Sequence, residues 1–74
     1  MNTDTFLEQM QETLEFEAEL TLDTKFRELD EWTSLAFLST IAMIDDEYDV
    51  VISANEFKSL ETIADIVAAI ENKM

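Results

Sequence analysis

The stretch 30-DEWTSLAFLSTIAMIDDEY-48 decides how this chain is read. An acidic loop gives way at Thr33 to about four turns of apolar-rich helix. That helix runs out into Asp45, Asp46, Glu47 and Asp49. Thr33 is a natural N-cap, because its hydroxyl can accept from an orphan amide of the first turn. Ser34 then takes the first helical position, with its side chain in solvent at the positive end of the dipole. A phosphate ester placed there is favoured by the free amides and by the macrodipole. Two stripes run down this helix. Phe37, Ile41, Ile44 and Tyr48 recur at helical spacing and are the expected core face. Leu35, Leu38, Ala42, Asp45 and Asp46 form the other, apolar near Ser34 and acidic further on.

Working outward, Thr3 to Phe16 reads as a first helix, with Phe6, Leu7, Met10 and Leu14 turned to the core. Its start is expected at Thr5, in a capping box with Glu8, or at Thr3. Residues 17–31 are less regular. Leu20, Leu22, Phe26 and Leu29 are too widely spaced for one good helix, and Asp23-Thr24 suggests a turn. We expect a long ordered loop anchored by Phe26 and Leu29. After the second helix, Val50-Val51-Ile52 is too little for a sheet. It leads instead to a short third helix near Asn55 to Lys58, with Ile52 and Phe57 inward. Ser59 is the expected cap of a fourth helix, Leu60 to about Asn72, burying Ile63, Ile66, Val67 and Ile70. Lys73 suits its negative end. The fold class is all-α: a four-helix bundle in one domain spanning 1–74, with a short third helix and a long first loop.

The chain has 74 residues, so its core is thin and must be packed efficiently. With no cysteine and no histidine, it lacks disulfides, a thiolate nucleophile, and both the commonest general base and the commonest transition-metal ligand. It is expected not to be an enzyme, and no metal site is assigned. Eighteen acids against four bases give a net charge of −14. Nucleic acid and anionic membrane surfaces are therefore poor partners, and basic protein surfaces are good ones. Disorder is opposed by a hydrophobic content of 47%. No signal peptide or membrane-spanning run is visible, so the expectation is a cytoplasmic monomer. Glycine and proline are absent, which leaves the turns to Asp, Asn, Ser and Thr.

The sequence Trp32-Thr33-Ser34-Leu35, followed by an amphipathic helix in a short acidic chain, resembles the acyl carrier protein family. The family signature is Asp-Ser-Leu, matched here by Ser34-Leu35, with Thr33 in place of the aspartate. Phe26 to Leu29, Ile44 to Asp49 with Ile52, and Leu60 to Ile70 resemble the family's flanking segments, so the likeness covers nearly the whole chain. It implies that a phosphopantetheinyl transferase moves 4′-phosphopantetheine from coenzyme A onto Ser34. The thiol of that arm would carry acyl groups as thioesters between enzymes of fatty-acid, polyketide or related biosynthesis. It also implies that Asp30, Glu31, Thr33, Leu35, Leu38, Ala42, Asp45 and Asp46 meet acyl-processing enzymes with basic docking patches. Three helices around a thin core could also shelter an acyl chain, in a cavity restricted by Phe57 and Tyr48. The family often has acids where Ala36 and Ser39 stand.

Two other classes compete. Asp45, Glu47, Asp49 and Glu56 fall at positions 1, 3, 5 and 12 of a possible calcium loop, but Val50 occupies the turn position that needs glycine. An acidic interaction module mimicking nucleic acid fits the charge and leaves the context of Ser34 unexplained.

Overall fold

A computed structural model describes residues 1–15 and 19–74. Among these it shows four α-helices: α1 (Thr3–Leu14), α2 (Ser34–Tyr48), α3 (Ala54–Phe57) and α4 (Ile63–Lys73). A 3₁₀ turn, Phe26–Glu28, lies in the connection between the first two. The all-α arrangement with a short third helix is the one the sequence predicts. Phe16, expected in the first helix, lies outside the described residues.

Helix α1 starts at Thr3, as the spacing predicts, but neither threonine is its cap. Asn2 is the cap: its backbone is extended and its side-chain oxygen accepts from Thr5 N–H at 3.1 Å. Asparagine caps at least as well as threonine, and one residue upstream it lets Thr3 join the helix. Phe6 and Met10 are buried, with Leu7 and Leu14 half-buried beside them.

Helix α2 turns a different face inward from the one expected. Its buried line is Ala36, Thr40, Met43 and Ile44, while Phe37, Ile41 and Tyr48 are half-buried on its flank. Apolarity alone ranks Phe37 above Thr40, but helices approach closely where side chains are small. The Thr40 hydroxyl is fully buried without penalty because it donates to Ala36 O at 2.8 Å. Tyr48 packs its ring 5.9 Å from Phe6 and donates its hydroxyl to Gln9 Oε1, tying α2 to α1. Burial, with the Glu47 charge second, raises that phenol above its ordinary range.

Beyond α2 burial alternates: Val50 and Ile52 are buried and Val51 is 67% exposed. Ser53 caps α3 by accepting from Glu56 N–H. The start of α4 is three residues later than predicted. Ser59 instead donates to Glu56 O, closing α3, and Leu60 is buried in the connection. Thr62 is the true cap, because Asp65 three residues on completes a capping box that Ser59 cannot form with its neighbours. Asp65 Oδ2 accepts from both Glu61 N–H and Thr62 N–H, at 3.0 and 3.1 Å. Ile63, Ile66, Val67 and Ile70 are buried, as their spacing predicts.

The long first connection is ordered by what it satisfies. A turn closes with Thr24 N–H on Thr21 O, and Phe26 drops fully into the core. Arg27 then reaches across: Nε donates to Leu60 O at 2.7 Å and an Nη donates to Phe57 O at 2.6 Å. In return, Ile63 N–H and Ala64 N–H of α4 donate to Thr24 O and Leu22 O. The loop therefore occupies the carbonyls that end α3 and the amides that begin α4.

Two outcomes follow for stability. Arg27→Ala should cost about 1–3 kcal/mol in urea denaturation, with Arg27→Lys intermediate because one ammonium cannot serve both carbonyls in a planar fork. The second concerns Asp65, whose backbone hydrogen bonds from Glu61 and Thr62 hold its pKa below the ordinary value. A depressed carboxylate stabilises the fold above its unfolded pKa and loses that contribution as pH falls through the folded one. The difference in urea midpoint between wild type and Asp65→Asn should thus shrink from pH ~7 to pH ~3, below the usual aspartate range.

Candidate functional site

The site is the head of α2. Thr33 has an extended backbone (φ −117°, ψ 175°), which sets its hydroxyl over the first turn to accept from Ala36 N–H at 3.2 Å. Thr33 O accepts from Phe37 N–H at 2.9 Å. Ser34 follows as the first helical residue and is exposed. The N–H groups of Ser34 and Leu35 have no acceptor among the described residues. They point along the positive end of the helix dipole. The contrast with α4 is informative, because there the first-turn amides are taken by the loop and by Thr62. One helix start is sealed and the other is left open to an anion.

What fixes this open end in place is aromatic. Trp32, immediately before the cap, stacks on Phe57 at 6.0 Å with only 9° between the planes. Phe26 meets Trp32 edge-on at 4.7 Å, and Phe37 meets Phe57 edge-on at 5.2 Å. Such pairs add to the burial of their own area. Because loop, α2 and α3 each contribute rings, Ser34 stands on a rigid base. Beside it opens a cleft of about 320 Å³ lined by Arg27, Trp32, Thr33, Ser34, Phe37 and Lys58. Of the two cations, Arg27 is engaged with carbonyls, whereas Lys58 forms no ion pair among the described residues. A smaller hollow on the opposite side, lined by Thr13, Glu15, Glu31, Thr33, Leu35 and Ser39 among others, separates α2 from the end of α1.

The remaining residues singled out from sequence fall where the second stripe places them. Leu35 and Leu38 are 74% and 60% exposed, and Ala42, Asp45 and Asp46 continue the exposed line down α2. Asp30 and Glu31 are exposed in the turn before Trp32. The structure thus brings apolar anchors and acids onto one surface running away from Ser34. The acids of residues 45–56 do not converge. Glu47 accepts from Gln9, Glu56 pairs with Lys73, and the chain dives inward at buried Val50. Among the described residues no group of three or more acidic side chains is placed to hold a metal ion.

Sequence reasoning missed Trp32 and Lys58 as parts of the site, and took Phe37 for core alone. The signal for Trp32 was present: a lone tryptophan directly before a helix cap, six residues after the loop anchor Phe26, has a fixed place to pack. Lys58 carried none, since its proximity to Ser34 comes from the path of α3.

Compared with known proteins, residues 4–70 match the family described as a phosphopantetheine attachment site. No curated protein matches the chain. Among solved structures, the solution NMR structure of a holo acyl carrier protein from Geobacter metallireducens superposes with a TM-score of 0.79 at 20% identity. The match covers 95% of this chain and 82% of that one, and shows that the two share a fold. No described helix is long and apolar enough to cross a membrane.

The cap is directly testable. Thr33→Val, which keeps the shape and removes the hydroxyl, should cost about 1 kcal/mol in chemical denaturation with the slope unchanged. Thr33→Asp should retain the cap and match or exceed wild type, since a carboxylate there also meets the dipole.

Proposed function

Because this chain belongs to the phosphopantetheine attachment site family, we propose that it is an acyl carrier protein whose arm is borne by Ser34. The observation that carries the assignment is the exposed hydroxyl of Ser34 at the first position of α2, beside two amides that have no acceptor among the described residues. The family's cofactor is 4′-phosphopantetheine, attached covalently, and the residues present fit it. Ser34 N–H and Leu35 N–H can donate to the phosphodiester oxygens, and Lys58, which forms no ion pair among the described residues, lines the adjoining cleft with a positive charge. When bound, the arm supplies a terminal thiol that holds acyl groups as thioesters.

In loading, the Ser34 oxygen forms the new bond to phosphorus, the nucleotide half of coenzyme A leaves, and the serine proton passes to a base on the transferase. The chain needs no base of its own for this step, which suits a molecule without histidine or cysteine. Its part is to hold the hydroxyl in solvent at a fixed point. Leu35, Leu38 and Ala42, flanked by Asp30, Glu31, Asp45 and Asp46, form the surface read by acyl-processing enzymes. Apolar anchors inside an acidic rim suit a brief encounter with a basic partner. The pathway is fatty-acid, polyketide or related biosynthesis, and the carrier acts as a cytoplasmic monomer. It is not itself a catalyst.

The test is intact mass before and after incubation with coenzyme A, magnesium and a broad-specificity phosphopantetheinyl transferase. Wild type should gain one phosphopantetheine, mapped to Ser34 by fragmentation. Ser34→Ala should fold with the same helical spectrum and gain nothing. Equal modification of Ser34→Ala would place the arm elsewhere.

A further inference from the structure

The space between α2 and α3, below Ser34, is filled by rings. Phe26 and Phe57 are fully buried, and Trp32 and Phe37 are half-buried above them. Each ring touches Phe57: Trp32 at 6.0 Å, Phe26 at 5.6 Å and Phe37 at 5.2 Å between centroids. Trp32 and Phe37 also form the wall of the cleft beside Ser34, so the rings stand between the attachment point and the bundle interior. The wall is braced from behind. Arg27 holds the carbonyls of Phe57 and Leu60, so α3 cannot swing away from the loop without breaking two charge-assisted hydrogen bonds.

We propose that this carrier keeps its cargo outside the bundle, in the cleft bounded by Trp32, Phe37 and Lys58, and so serves short or polar acyl groups rather than long hydrocarbon chains. The inference rests on the carrier function proposed for Ser34. An apolar chain leaves water only where room exists for it, and here entry requires parting rings that already bury one another. The cleft itself is a poor shelter for hydrocarbon. One edge carries the ammonium of Lys58, which forms no ion pair among the described residues and favours a polar or anionic group over an alkyl tail. Trp32 and Phe37 are the specificity-determining residues, because they close the route at the cleft while being only half-buried themselves.

The experiment loads wild type from acetyl-, butyryl- and octanoyl-coenzyme A with a promiscuous transferase and confirms each product by mass. Two readouts follow: the rate of thioester cleavage by hydroxylamine, and the melting temperature. A chain that enters the folded core acts as a tethered ligand of the native state and raises the melting temperature, whereas one left in water does not. We expect cleavage rates within about twofold across the three acyl groups and no rise in melting temperature with length. An octanoyl form cleaved about tenfold more slowly than the acetyl form and melting higher would overturn the proposal. Trp32→Ala and, separately, Phe37→Ala should open the route, so that octanoyl becomes protected relative to acetyl. If neither folded variant shows that change, the rings are not the barrier and the assignment fails. Absence of any arm on wild type is a different result, visible in the first mass spectrum, and removes the carrier reading itself.

Discussion

The hydrogen bonds from Arg27 to Phe57 O and Leu60 O are the constraint on which the rest of this fold depends. A long connection in a small domain has few ways to become ordered, because its backbone polar groups must find partners. This one is ordered by completing two helices that are not its own. Arg27 takes carbonyls at the end of α3, and Thr24 and Leu22 offer carbonyls to the start of α4. Guanidinium suits the task, since its fork meets two acceptors at once while its charge lies over the Phe26 ring, 5.4 Å from the centroid. Once the loop is pinned, Phe26 and Trp32 are delivered to Phe57, and the head of α2 is set behind them.

Charge makes that clamp matter more. Eighteen acids against four bases repel one another in the compact state, and the chain offsets little of this through ion pairs. Among the described residues Lys73–Glu56, at 3.1 Å and about one-third exposed on each side, is the pair present, and such pairs contribute little. Stability must therefore come from apolar packing and from well-made helix ends. The caps bear this out: Asn2, Thr33, Ser53 and Thr62 all accept from first-turn amides. At the C-terminal ends the chain is less well served. Without glycine, Glu15 and Asp49 both adopt left-handed backbone (φ 54° and 55°), which favours glycine and costs an L-residue energy.

Much of this was legible because helix ends and apolar spacing are local. The exposed stripe Leu35, Leu38 and Ala42, the Thr33 cap, the inward Ile52 and Phe57, and the anchor Phe26 all follow from neighbours within a turn or two. What was not legible depends on distance in the chain. Thr40 looks like a solvent residue until its hydroxyl is seen to be satisfied by Ala36 O, and Ala36 itself is core because α1 comes close. Ser59 and Thr62 are both acceptable caps by type. The choice goes to Thr62 because Asp65 reciprocates and because Leu22 and Thr24 wait for the amides that follow. For the site, Ser34 could be read from its place at a helix start, whereas its setting could not. Arg27, Trp32, Phe37 and Lys58 meet around it only because a loop, α2 and α3 converge there.

The starts of α2 and α4 differ in what their first turns leave accessible. Both helices have a threonine cap and an equivalent dipole. In α4 the cap is closed by an aspartate, the first two amides are spent on loop carbonyls, and the first residue is buried. In α2 the corresponding aspartate is absent, Ala36 stands at that place, and the first residue is a serine in water. The substitution of a small apolar residue there buries a methyl against the core and leaves the positive end uncompensated. The head of α2 thus carries no acid in its first turn and is braced from below by rings that only the tertiary fold brings together.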